Sequence, residues 1–237
     1  MSILPSLPPY KIESMISFLS DYIRTNNIKG FLFDLNGTMV NDMPYHVKAW
    51  HNIFLSLGKD ISYEDTKKEC YGKNEEVIER VMPGVFPMEK KTEIGLQKEI
   101  KYREEFFPEL KLIDGLTEVL NYFSDQGIKM SIGSAAILPN IDFVIDGCKI
   151  RDKFQSIVSA DDVNKSKPDP ETFFKCAESL NLKPGECIVF EDSPKGAECA
   201  VNAGMKSVII TTTHPKSDFN HLAEHFILYA ENYIETK

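Results

Sequence analysis

The chain has 237 residues, with 27 Lys and Arg against 36 Asp and Glu, for a formal net charge of −9. Its length accommodates one large domain or a main domain with a smaller insert, and its 42% hydrophobic and 27% charged content is that of an ordinary soluble globular protein. So acidic a chain does not bind nucleic acid or an anionic membrane by bulk electrostatics; an anionic ligand has to be met by locally placed cations and backbone N–H groups.

No apolar run approaches the roughly 18 residues that a membrane span needs. Lys11, Glu13 and Asp21 interrupt the apolar residues near the N-terminus, which is unlike a signal peptide. Cys70, Cys148, Cys176, Cys187 and Cys199 form no C-x-x-C pair and leave one over in any pairing, which points to reduced thiols that mostly fill a core. These features predict a soluble, cytoplasmic protein.

Residues 1–10 are Pro-rich and read as irregular. Over residues 11–26, Ile12, Met15, Ile16, Leu19, Tyr22 and Ile23 recur at helical spacing. That helix has to bury its apolar face, on its own domain in preference to a second subunit. Phe31-Leu32-Phe33 is a short apolar run, the pattern of a strand buried on both faces. Asp34 then stands at the strand's carboxyl end, and Gly37 lets the chain turn at once.

Residues 44–57 read as a helix with Val47, Trp50, Ile53, Phe54 and Leu57 on one side. Residues 60–108 are charge-rich and keep helical patterns, such as Val77-Ile78 with Val81, and Ile94 with Gln97 and Ile100-Lys101. No strand pattern interrupts them, which predicts an inserted all-helical subdomain over residues 45–112. Alternation then resumes with a helix over 115–126, a strand over 129–133, a helix around 137–145 and a strand near 155–159. It continues with a helix over 170–180, a strand over 187–190, a helix over 195–203 and a strand over 207–210. A short strand at 226–229 and a last helical turn close the chain. Strands alternating with helices predict a parallel α/β sheet covered on both faces. The resulting plan is an N-terminal extension at 1–29, a core domain from 30–44 and 113–237, and the helical insert between them.

Four polar clusters stand at strand ends: Asp34-x-Asn36-Gly37-Thr38, Ser134, Lys167-Pro168-Asp169-Pro170, and Glu191-Asp192. In a parallel sheet they converge on one edge. Singly, each has an ordinary role: Asp34 as a turn residue, Ser134 as a turn serine, Lys167 as a solvated lysine. Together, a carboxylate nucleophile, a hydroxyl, an ammonium and a second carboxylate pair are what phosphoryl transfer through an aspartyl-phosphate needs.

In type and order these motifs resemble those of the haloacid dehalogenase superfamily, specifically its β-phosphoglucomutase-like branch, across residues 31–192. The resemblance implies an α/β fold, a Rossmannoid parallel-sheet core with a small all-helical cap domain inserted. It implies that Asp34 attacks phosphorus and holds Mg²⁺, with the backbone carbonyl of Asn36 and the side chain of Asp192 completing the protein ligands and Glu191 close by; hard oxygen donors suit that ion. It also implies that Ser134, the N–H of Ala135, and Thr38 serve the phosphoryl group, while Lys167 offsets its charge. Lys165 reads as the solvated lysine of that pair.

One position departs from the branch's pattern. The second acidic residue of the opening motif, its general acid and base, is here Asn36, whose amide neither gives nor takes a proton at neutral pH. Losing a positioned acid/base costs on the order of 10²–10⁴ in rate. Asn36 is either a natural divergence or an engineered substitution that traps a complex. His46 resembles the branch's hinge histidine beside that position and is the nearest substitute proton carrier. Tyr71-Gly72-Lys73-Asn74 resembles the specificity loop, but the basic residues that the mutases carry around it are replaced by Tyr71 and Glu75; Lys73 partly compensates.

The expected function is therefore a Mg²⁺-dependent phosphatase acting on a small phosphorylated metabolite. A sugar-phosphate mutase and a catalytically impaired phospholigand-binding protein are the alternatives. A monomer or weak homodimer is expected, without nucleic-acid or membrane partners.

Overall fold

The computed structural model describes residues 14–234. The Pro-rich start and Ile12 lie outside the described residues. Among these, six parallel strands form one sheet in the order β3-β2-β1-β4-β5-β6. They are β1 (Gly30–Phe33), β2 (Lys129–Gly133), β3 (Ser156–Val158), β4 (Cys187–Glu191), β5 (Lys206–Ile210) and β6 (Phe226–Ala230).

β1 is central because its side chains are apolar on both sides. Phe31 and Phe33 face one layer, where Phe33 stacks on Phe190 at 4.5 Å and Phe31 meets Phe123 edge-on at 5.0 Å. Leu32 faces the other layer with Phe173, Cys176 and Cys199. Helices α1 (Met15–Asn26), α6 (Leu116–Asp125) and α7 (Leu138–Gly147) cover the first face; α8 (Glu171–Ser179) and α9 (Pro194–Asn202) cover the second. Met15 and Leu19 of α1 are fully buried in the same cluster as Phe31, so the extra helix packs on its own chain.

Between β1 and α6 the chain makes four helices: α2 (Met43–Ser56), α3 (Tyr63–Glu69), α4 (Asn74–Val81) and α5 (Met88–Phe106). They bury a cluster of their own, Trp50, Phe54, Val77, Ile78, Val81 and Ile94. The outgoing and returning segments are joined where the Ile113 N–H donates to the Met39 carbonyl at 2.9 Å.

Three expectations change. On α5 the buried face is Ile94, Gly95, Lys98, Glu99, Tyr102 and Phe106, and the predicted partners Gln97 and Ile100 are exposed. The polar pair Lys98 and Glu99 takes their place on the buried face. Lys216–His225, unassigned from sequence, forms 3₁₀ turns that bury Phe219 against Ala197 and Ile209. After β6, residues 231–234 bend and make no helical turn.

Candidate active site

The strand order places the site. β1 lies between β2 and β4, whose connections leave in opposite directions, and the crevice at such a switch point is where open α/β sheets bind ligands. Asp34 follows β1, Ser134 follows β2, Lys167 lies in the loop after β3, and Glu191 ends β4. All four line a cavity of about 190 Å³, together with Asn36, His46, Gly72, Ala135 and Asp192.

Lys167 organises the floor. Its Nζ donates to Asp34 Oδ1 at 2.6 Å and to Glu191 Oε1 at 2.7 Å, with the Lys167 side chain 9% exposed. Glu191 Oε2 accepts from the backbone N–H groups of Asp192 and Ser193, each at 2.9 Å, and from the Ser193 hydroxyl. The carboxylate lies so close to Gly196 that a Cβ there would sit 1.7 Å from Oε1, so α9 can pass only with glycine at that position. Asp192 Oδ1 accepts from the Thr38 hydroxyl at 3.0 Å, and Oδ2 accepts from Thr213. Gly37, at φ +78°, makes the turn that lets Asp192 approach, since a Cβ would meet Oδ2 at 2.2 Å.

Among the described residues, Asp34, Glu191 and Asp192 bring carboxylate oxygens within 4.8 Å of one another. Burial pushes the Asp34 carboxyl up to about 7, with Lys167 opposing and Glu191 and Asp42 adding to the rise. Burial, then the charges of Glu191 and Asp34, push Asp192 well above the usual carboxylate range. Burial disfavours the Lys167 ammonium, but Asp34 and Glu191 outweigh it and hold the group firmly charged. One ammonium against three buried carboxylates leaves negative charge uncompensated. A hard divalent cation fits such a donor set.

A second polar group occupies the wall formed by α2 and α5. Asn36 Nδ2 donates to Asp42 Oδ2 at 2.6 Å and lies 3.1 Å from His46 Nε2. His46 Nδ1 is 2.6 Å from Lys98 Nζ, and Lys98 pairs with Glu99 at 3.0 Å. Glu99 Oε2 accepts from Asn140 at 2.6 Å. Burial opposes the Glu99 charge, yet Lys98, His46 and Asn140 hold its carboxyl down at about 2.

Two expected phosphate ligands stand elsewhere. Thr38 is fully buried behind Asp192 and absent from the cavity lining, because the turn at Gly37 carries its hydroxyl to that carboxylate. Lys73 also misses the lining; its ammonium donates to the Val163 carbonyl at 2.6 Å, drawn to the loop that precedes Lys167. Tyr71 lies between the Arg80 guanidinium at 3.7 Å and Lys195 at 4.0 Å. Lys165 is exposed beside Asp169. Sequence reasoning missed Asp42, Lys98, Glu99, Asn140 and Thr213. Only Lys98 left a signal, as it falls four residues from both Ile94 and Tyr102 on one helix face.

The sequence profile described as haloacid dehalogenase-like hydrolase matches residues 31–210. An uncharacterized protein of Haemophilus influenzae is 31% identical over 191 residues, 78% of this chain and 92% of that one. Hexitol phosphatase B of Escherichia coli is 26% identical over 192 residues, 79% and 85% of the two chains. Among solved structures, β-phosphoglucomutase from Clostridium difficile superposes with a TM-score of 0.76 at 25% identity, covering 87% of this chain and 92% of that chain. A match that runs from the first strand to the end of the fifth, over this topology, makes the chain an enzyme of the haloacid dehalogenase-like hydrolase family.

Proposed function

We propose that the chain is a divalent-cation-dependent phosphatase that releases phosphate from a small phosphorylated metabolite, with a sugar or polyol phosphate the leading class. The observation that carries this reading is Asp34, held by Lys167 at the floor of a cavity beside two further buried carboxylates. The polyol class is supported by the likeness to hexitol phosphatase B and by Asn74 and Glu99, which line the cavity and are of a kind that suits hydroxyl groups.

In this reading Asp34 attacks phosphorus, the bond from phosphorus to the leaving oxygen breaks, and that oxygen takes up a proton drawn from water, which the second step returns. Water then attacks the aspartyl-phosphate, regenerating the Asp34 carboxylate and freeing phosphate. Lys167 fixes the orientation of Asp34 and offsets charge on the phosphoryl oxygens; the Ser134 hydroxyl and the Ala135 N–H face the same group. Asp34, Asp192 and the backbone carbonyl of Asn36 would hold Mg²⁺, which would supply positive charge that keeps Asp34 ionised and offsets charge on the phosphoryl group. Glu191 orients Lys167 through its 2.7 Å contact and stands within the same carboxylate group, close to the ion. The helices of residues 45–112 act as a cap that excludes bulk water from the cavity.

The test is phosphate release from a panel of sugar and polyol phosphates, acyl phosphates and pyrophosphate with Mg²⁺. Turnover is expected, with loss on chelation and a fall on the order of 10⁴-fold or more in Asp34→Ala. Release of phosphate undiminished in Asp34→Ala, or none from any ester by the unaltered chain, would overturn the reading.

A further inference from the structure

Asp42 directly precedes α2, where an aspartate ordinarily caps the helix through its side chain. Here it makes no such cap. Its fully buried carboxylate turns instead to the site: Oδ2 accepts from Asn36 Nδ2 at 2.6 Å and from the Tyr102 hydroxyl, while Oδ1 has no partner among the described residues. The other ring against this group is His46, stacked on Tyr102 at 3.7 Å, with Nε2 3.5 Å from Asp42 Oδ2.

The two ends of an amide have nearly the same shape but opposite hydrogen bonding, since NH₂ only donates and the carbonyl only accepts. An ionised carboxylate accepts only. A carboxylate behind position 36 therefore selects one of the two amide orientations. The NH₂ of Asn36 faces inward to Asp42, and the carbonyl Oδ1 is left for the cavity that Asn36 lines.

We propose that Asp42 is a positioning residue that locks the Asn36 amide with its carbonyl toward the cavity, so that a ligand meets a hydrogen-bond acceptor at position 36 and never a donor. Its use rests on the phosphatase reading, because the group such an acceptor holds is the O–H of the leaving alcohol or of the attacking water. Asn36 is thus matched to its surroundings as an amide. A carboxylate introduced at the half-buried position 36 would face the fully buried Asp42 carboxylate at hydrogen-bonding distance, where two like charges repel strongly.

The experiment compares the unaltered chain, Asn36→Asp, Asp42→Asn and the exchanged pair Asn36→Asp/Asp42→Asn, by thermal unfolding and by kcat and KM for phosphate release. Asn36→Asp alone is expected to lower Tm by roughly 4–10 °C, and adding Asp42→Asn to it is expected to raise Tm again, because the exchange restores one donor facing one acceptor. Asp42→Asn alone frees the amide to rotate, so kcat falls on the order of 10²-fold while KM moves little. The deciding result is the sign of the Asp42→Asn effect in the Asn36→Asp background, which does not depend on Asp42→Asn folding by itself. If adding Asp42→Asn to Asn36→Asp lowers Tm further, or if kcat is unchanged in Asp42→Asn, the assignment is wrong. A chain that releases no phosphate at all would sink the phosphatase reading, and the unfolding comparison would still decide the orientation of Asn36.

Discussion

Asp34 carries two demands that conflict without a cation. As the proposed nucleophile it has to be ionised, yet burial and its carboxylate neighbours push it up to about 7, above the ordinary 3.8. A carboxyl raised in the folded state contributes stability that is complete below the unfolded value and is lost as pH rises through the folded one. The cation-free chain is therefore expected to lose stability between about pH 4 and pH 7. In the proposed site Mg²⁺ would bind the ionised form, so it should raise Tm more at pH 8 than at pH 5, and Asp192→Asn should abolish the shift. A Tm response to Mg²⁺ that is equal at both pH values would contradict this account. At this scale Asp34, Ser134, Lys167 and Asp192 were legible in the sequence, because each follows a strand whose apolar pattern is local. Asp42 and Glu99 were not, because their meaning comes from Asn36, Tyr102 and Asn140, partners that only the folded chain brings to them.

The elements show the same division. Strand and helix positions follow from alternation and spacing, and β2 was read to the residue at 129–133. The face of α5 was misread, since Lys98 and Glu99 look like a solvated pair until α2 and α7 close over them. The helices from α2 to α5 own a separate apolar cluster, so damage there should remain local. Phe54 is fully buried within it, and Phe54→Ala is expected to cost about 3–5 kcal/mol. Hydrogen exchange should then quicken in α2 and α4 well before β1 and β4. Equal quickening in the sheet would mean that the two clusters unfold as one.

For the whole molecule, the parallel sheet with helices on both faces was readable from the alternation alone. The identity of the cavity's wall was not, because it depends on how four inserted helices meet the sheet's carboxyl edge. None of the five cysteines is disulfide-bonded, and Cys70 stands in the cavity wall itself. Burial pushes the thiols of Cys70, Cys176, Cys187 and Cys199 up to about 12, and that of Cys148 upward as well. At neutral pH only on the order of one in 10⁴ or fewer of the four most perturbed would be thiolate, the form that alkylating agents and peroxide attack. The enzyme should accordingly work through oxidative conditions that silence thiol-dependent phosphatases. Iodoacetamide should leave turnover intact and add no mass at Cys70 of the folded chain, while the unfolded chain takes up five carbamidomethyl groups. An adduct on folded Cys70 with loss of turnover would show that the wall opens far enough to expose it.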